Sequence, residues 1–338
     1  MRDYKHTMKV IRSLLPKYYG ILGETRSAQF LECKRTPVSF DASSTTDELW
    51  NIHDQALQTT AHQDKPSYQS LLDLKIELAT RLYRTCCFCE RRCGINREEA
   101  AGKCGVKESR IASEFLHFGE EPMLVPSYTV FFSGCTFHCV FCQNWDISQT
   151  SSGATVEPAD LATIIEQRKR QGARNVNWVG GDPTSHLLFI LTVLNKTESN
   201  LPQIWNSNMY CSMETMKLLH GVMDVYLTDF KYGNDRCAQR LSKVDGYISA
   251  VQRNHRLAYD HGEVIVRHLV MPQHGQCCSQ PILHWIKENI PKAVVNIMPQ
   301  YHPCYHASDY KEIAEPTPTE EYLTIQDNAE TLGLFLVK

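Results

Sequence analysis

From residue 129 onward the chain alternates short β-branched or aromatic runs with amphipathic stretches, and this alternation limits the fold more than any other feature. Strand-like runs fall at 129–133, 176–179, 203–206, 225–230, 264–270 and 294–298. Helical spacing fills the gaps at 158–170, 187–194, 213–219, 237–258 and 281–289, and 320–332 closes the series. The first of these helices starts at Pro158, sets Leu161, Ile164 and Ile165 on one face and stops by Gly172. Six such units in a row predict an α/β fold with parallel strands and helices outside them. Right-handed crossovers curl that sheet into a partial, TIM-like (β/α)6 barrel. In barrels of this kind the loops after the strands carry the active site.

The loop after the first strand holds Cys135, Cys139 and Cys142, spaced C-x3-C-x2-C, with Gly134 before them and Phe141 beside the last. Three thiolates from one loop suit an iron–sulfur cubane, which normally takes four, so one iron is left for a ligand that is not protein. A zinc knuckle is the plainer reading of three cysteines, but zinc usually takes four closed ligands and shorter C-x2-C pairs. The later loops carry Gly180-Gly181-Asp182-Pro183, then Trp205-Asn206-Ser207-Asn208, Asp229-Phe230-Lys231, Arg267-His268 and Met298-Pro299-Gln300-Tyr301. Taken singly, these are a turn, an amide-rich loop, an ion pair, a core histidine and strand-end packing.

Together the cysteine loop and its continuation Gln143-Asn144-Trp145-Asp146-Ile147-Ser148 resemble the signature of the radical S-adenosylmethionine (SAM) superfamily. The branch resembled contains pyruvate formate-lyase activating enzyme-like and AmmeMemoRadiSam proteins, and the likeness is strongest over 84–310. It implies that Cys135, Cys139 and Cys142 hold a [4Fe-4S] cluster whose free iron is chelated by SAM. It further implies reductive cleavage of SAM to a 5′-deoxyadenosyl radical that abstracts hydrogen. The Gly180 to Pro183 turn is similar to the family's GGEP motif, with Asp182 in place of Glu, and its backbone is expected at the SAM amino group. Asn206 and Asn208 are expected near the ribose or carboxylate of SAM. Asp229 and Lys231 resemble the activases' D-x-K pair at its methionyl end, and Arg267 with His268 their Arg-containing strand. The family also implies a flavodoxin- or ferredoxin-type electron donor. Within it the resemblance favours an activase that takes a hydrogen from a glycyl radical enzyme, with modification of a small molecule or another peptide as the alternative. A non-catalytic electron-transfer or redox-sensing iron–sulfur protein, or a zinc-stabilised scaffold, would need the cysteines but neither the Gly-Gly turn nor Asp229 and Lys231.

The 14 cysteines are grouped rather than scattered. Cys86, Cys89, Cys93 and Cys104 form a second set ahead of the barrel, similar to the N-terminal cysteine segment of the activase-like branch. It is read either as an auxiliary iron–sulfur cluster or as a closed structural site for zinc or iron. Cys87 breaks that pattern and is taken as a spare buried thiol. Adjacent Cys277 and Cys278, on the loop after the fifth strand, could ligate a metal or touch substrate but are expected to be two buried thiols. Cys33, Cys211, Cys237 and Cys304 have no partner at ligand spacing and are expected in the core. The organisation expected is a mainly helical extension over 1–83, a cysteine-rich metal-binding segment over 84–126 and the barrel over 127–338. Helices are expected at 8–19, 46–59 and 71–84.

Charge and hydropathy narrow the partners. A net charge of −3 offers no basic field for nucleic acid or anionic lipid. The longest apolar run, at 187–194, is too short to span a bilayer, and no export signal is visible, so the expected location is the cytoplasm. Clustered thiolates without an export signal point to metal rather than disulfides, and to an anaerobic setting.

Overall fold

The computed structural model describes residues 2–58 and 69–337. One eight-stranded sheet organises it: β1 (Ile111–His117), β2 (Ser127–Phe132), β3 (Val176–Gly180), β4 (Gln203–Ser207), β5 (Val225–Asp229), β6 (Glu263–Leu269), β7 (Val294–Met298) and β8 (Phe335–Leu336), paired in that order. Strands β2 to β8 run parallel, while β1 pairs antiparallel with β2. The six expected barrel strands are β2 to β7. Both edge strands escape the sequence pattern. β8 has two residues, and β1 alternates half-buried and exposed positions in place of a buried run.

Helices at Pro158–Arg170, Leu187–Lys196, Met213–Leu219, Gln280–Asn289 and Thr319–Thr331 occupy the expected connections. The stretch expected as one helix over 237–258 is two, Asp235–Ser242 and Tyr247–His261. Lys243 (φ 56°) and Gly246 (φ 59°) adopt left-handed backbone between them, which an α-helix cannot continue through.

Side-chain parity divides the barrel into two cores. Ile204, Val225, Leu227, Ile265 and Val294 point inward at the bottom and pack with Ile11, Leu15, Tyr18, Met123 and Leu124. Trp205, Tyr226, Val264, Val266 and Val295 point outward into the helical layer. The N-terminal helix expected over 8–19 is two, Arg2–Leu14 and Pro16–Leu22, interrupted where Pro16 lacks a backbone N–H. Their apolar side chains stopper the barrel's bottom. The helix expected over 46–59 is observed as Thr46–Ala56, and Thr59 lies outside the described residues. The third, Leu71–Arg84, begins with a capping box in which Ser70 and Asp73 exchange hydrogen bonds. Asp73 also accepts from Asn195 (2.9 Å), docking this helix on Leu187–Lys196.

Candidate radical SAM site

The top of the barrel holds a cavity of about 250 Å3, lined by the cysteine loop and by the inward residues that end the strands. Its floor follows from parity: Asn206, Asp229, Arg267, Leu269 and Met298 sit one step above the apolar bottom core.

The cysteine loop reaches this position through close backbone contacts. Gly134 (φ 83°) turns the chain out of β2, and its N–H meets Ile147 O (2.9 Å). Gly181 lies so close that a Cβ there would come 2.0 Å from Gly134 O, and Asp182 N–H donates to the same carbonyl (3.1 Å). A side chain at either glycine of the Gly-Gly turn would break this packing, since a Cβ on Gly180 (φ 118°) would strike Phe132 backbone at 2.1 Å. Cys135 and Cys139 are buried and Cys142 is half-buried. Each sulfur has a polar neighbour. Phe137 N–H donates to Cys135 Sγ (3.3 Å), while Ser242 Oγ lies 2.9 Å from Cys139 Sγ and Ser148 Oγ 3.1 Å from Cys142 Sγ. Tyr232 OH, 2.5 Å from Ser242 Oγ, extends this chain. Burial pushes the Cys139 thiol up to about 12 and Cys135 well above its ordinary value, so both stay protonated until a metal displaces the proton.

Opposite the sulfurs is a charged triad. Asp229 accepts from Lys231 Nζ (2.7 Å) and from Arg267 Nε (2.9 Å). Burial raises its carboxyl, but the two cations outweigh that and hold it at about 2. Arg267 also donates to Asn206 Oδ1 (2.5 Å) and reaches Glu120 Oε2 (3.4 Å). Lys231 and Arg267 thus meet the carboxylates of Asp229 and Glu120, a charged floor that suits a group carrying both signs of charge. Asn206 Nδ2 is buried without a partner, so a donor at the cavity floor awaits an acceptor.

Of the residues expected at the cofactor, Phe141, Gly180, Gly181, Asn206, Asn208, Asp229, Lys231 and Arg267 line the cavity, and so do Met298 and Gln300. Asp182, Pro183 and His268 lie outside that lining. The Asp182 carboxylate turns inward to accept from Ser207 Oγ (2.9 Å), Asn208 N–H (3.1 Å) and Thr184 N–H (3.0 Å), bracing the next loop. Pro183 opens a short 3-10 turn, Pro183–His186. His268 is one residue past Arg267, hence on the helical side. Its ring nitrogens meet Phe230 O and Ser279 Oγ, both at 2.8 Å, and burial lowers its value to about 4. Tyr301 packs against Phe141, ring centroids 5.9 Å apart. Ser148, Ser242, Tyr232 and Glu120 were not legible as site residues. Glu120 lies in the β1–β2 connection, whose hairpin the sequence pattern does not disclose.

The second cysteine set adjoins the first. Cys135 N–H donates to Cys104 O (3.2 Å), and the same carbonyl would stand 3.0 Å from a Cβ on Gly134. Cys93 and Cys104 sulfurs both border Gly102, and Arg97 Nη1 lies 3.8 Å from Cys86 Sγ. Backbone N–H groups of Lys103 and Ile95 overcome burial to lower the Cys93 thiol. Cys211 and Cys33 are buried as expected, whereas Cys87 is half-buried rather than buried. Cys277, in contrast, is exposed, and Cys237 and Cys304 are half-buried rather than core.

An open barrel of parallel strands, with three cysteines on its first loop above a glycine-lined, charged cavity, defines an enzyme that joins an iron–sulfur cluster to a charged organic ligand. Residues 129–286 match the family model described as the radical SAM superfamily. The chain is 45% identical to the uncharacterized protein MJ0674 of Methanocaldococcus jannaschii, over 96% of this chain and 99% of that protein. It is 25% identical to MJ0808 of the same organism over 55% of each. Among solved structures, Streptococcus suis SuiB bound to S-adenosylmethionine matches with a TM-score of 0.46 and 13% identity, covering 60% of this chain and 47%, about half, of SuiB. Residues 129–286 form a radical SAM superfamily domain, and the chain is a radical SAM enzyme whose cofactors are a [4Fe-4S] cluster and SAM. The residues present fit this pair: three sulfurs on one loop, an orphaned donor at Asn206 and the charged side chains of Asp229, Lys231 and Arg267 on the cavity lining. Among the described residues, no helix is long and apolar enough to cross a membrane.

Proposed function

We propose that Cys135, Cys139 and Cys142 hold the cluster, with the methionyl end of SAM lying along Gly180, Gly181, Asp229, Lys231 and Arg267, and that the enzyme takes a hydrogen from a segment of a protein partner, as a glycyl radical activase does. When bound, the cluster and SAM supply a 5′-deoxyadenosyl radical. The chain's own groups position and shield. Lys231 and Arg267, both paired with Asp229, line the cavity where the SAM carboxylate would lie. Asn206 Nδ2 supplies a free donor. The Gly-Gly backbone admits close approach of the amino group.

The observation that carries the substrate reading is the size of the cavity. About 250 Å3 lies below the usual range for a pocket that encloses an organic ligand, roughly 300–1,000 Å3. Such a cavity has no enclosed space to spare for a third molecule beside cluster and SAM. The carbon that gives up hydrogen must then be presented at the mouth, where a loop from a larger partner reaches more readily than a small molecule can be enclosed. Cys86, Cys89, Cys93 and Cys104, whose sulfurs do not gather tightly enough to share one ion, are proposed to hold a second iron–sulfur cluster beside the first, and a flavodoxin- or ferredoxin-type protein to supply the electron.

Anaerobic reconstitution with iron and sulfide, followed by dithionite and SAM, tests the reading. 5′-Deoxyadenosine is expected by chromatography, and its absence sinks the proposed site. A glycyl radical signal in electron paramagnetic resonance, on adding a glycyl radical enzyme from the same cell, is the further expected result. Turnover of a free metabolite without a protein partner would overturn the substrate reading alone.

A further inference from the structure

A third group of cysteines forms outside the cavity, where Cys237, which has no partner at ligand spacing in the sequence, joins the adjacent pair Cys277 and Cys278. Cys237 lies in the first turn of the helix Asp235–Ser242, and Cys277 and Cys278 lie in a wide turn after β6. Specific backbone contacts build the junction. Asn234 caps the helix by accepting from Cys237 N–H (2.8 Å), and its Nδ2 donates to Cys277 O (2.8 Å). In the wide turn the N–H groups of Cys278 and Ser279 both reach His274 O, at 2.9 and 3.2 Å. Gly233 permits the approach, because a Cβ there would come 2.7 Å from Cys277 O and 2.8 Å from Cys278 Cα.

Cys277 Sγ lies 3.9 Å from both Cys237 Sγ and Cys278 Sγ, and all three sulfurs lie within 4.8 Å of one another. Thiolates sharing one tetrahedral ion at ~2.3 Å stand about 3.8 Å apart, since the edge of a tetrahedron is ~1.6 times its centre-to-corner distance. Sulfurs that each bind a different iron of a cubane must stand farther apart, so this spacing belongs to a single ion. Among the described residues, this is the one group of three or more His, Cys, Asp or Glu that gathers so tightly. With Cys278 buried and Cys277 exposed, a fourth position faces solvent.

We propose that Cys237, Cys277 and Cys278 bind one zinc ion through three thiolates, with water as the fourth ligand. Soft sulfur ligands select thiophilic ions over magnesium, calcium or manganese, and a tetrahedral sulfur set favours zinc. Binding forms three Zn–S bonds and releases the thiol protons to solvent, without a change of oxidation state. The ion clamps the start of Asp235–Ser242 to the turn after β6. The same helix ends at Ser242, whose hydroxyl touches Cys139 Sγ. This makes the zinc a positioning element for the polar neighbour of a cluster ligand.

The test compares anaerobically purified full-length chain with Cys277→Ser and with Cys237→Ala/Cys278→Ala, each given one equivalent of zinc, desalted and analysed for zinc and iron. One zinc per chain is expected to be lost from both variants, with iron unchanged. Circular dichroism melting of Cys277→Ser, a change at an exposed position, guards against misfolding as the cause. In the parent chain, zinc should slow alkylation of Cys277 at least about tenfold and a chelator should restore it. Equal zinc in parent and variants overturns the proposal. So does unprotected alkylation, preferential retention of copper(I) in direct competition, or a Cys237–Cys277 disulfide that persists under reductant.

Discussion

Two cysteine segments lie side by side in this molecule and are built in opposite ways. The Cys135 loop is an extension of the sheet: it leaves β2, is pinned by Gly134 and Gly181, and lines a cavity with three sulfurs. The Cys86 to Cys104 segment rests on turns, closed by backbone hydrogen bonds such as Cys86 N–H to Ile95 O (3.0 Å) and Gly94 N–H to Cys86 O (2.9 Å), and contributes nothing to the cavity lining. The first has three cysteines and a space beside them, while the second has four cysteines and no part in the cavity. An open site needs a rigid platform that holds its ligands while leaving one position free. A closed site can be organised by its metal.

Breaking the first site should have the largest effect. Cys139→Ala is expected to reduce 5′-deoxyadenosine to background while metal at Cys86–Cys104 remains, as measured by product chromatography and iron analysis. Cys104→Ser should do the reverse, since the tie to Cys135 uses the Cys104 carbonyl and survives the change. The second site's metal is then lost and SAM cleavage persists. If both variants lose both metals, the two segments act as one unit. Next in size, Gly181→Ala drives a Cβ into Gly134 O and should expel the cluster loop from its seat. Destabilisation of about 1–3 kcal/mol in denaturant melts is expected, as for other overpacked sites, together with weak cluster retention.

Smaller changes sharpen the contrast. Ser242→Ala removes the hydroxyl beside Cys139 Sγ without touching a ligand. Hydrogen bonds to the sulfurs favour the reduced, more negative cluster, so its potential should move to a more negative value. Turnover should fall about 10–100-fold, the range for loss of an outer-shell partner, and redox titration checks the direction. The smallest effect concerns pH. His186 braces the platform through Nε2 to Ser133 O (2.9 Å) and Nδ1 to Ser109 Oγ (3.1 Å). Burial, aided by Arg97, lowers its value to about 3. The unfolded chain takes this proton near 6.5. The stability from His186 is therefore whole above about 6.5 and declines as pH falls toward 3. Melting temperature should drop over that window, with a shallower slope in His186→Gln.

The six central strands were legible because parallel strands buried on both faces read as apolar runs, such as Val264 to Val266. The cavity residues followed from their place after those runs. Which member of a pair enters the cavity was not legible where a boundary slipped by one residue. Arg267 and His268 differ only in parity, and that parity depends on the register of β6 with β5 and β7. Contacts between distant segments escaped for a different reason. Ser242 meets Cys139, and Cys237 meets Cys277, through folds of the chain that no local spacing encodes. The break at Lys243 was hidden because nothing in its residue type announces a left-handed backbone.

The stoppered bottom of the barrel imposes an order of traffic. Among the described residues, Ile11, Leu15 and Tyr18 close one end, which leaves the top for entry to the cavity. The proposed substrate loop, seated there, would block a reductase approaching by the same route. Electrons must then be delivered before the substrate arrives, or enter sideways through the wall where Cys104 touches Cys135.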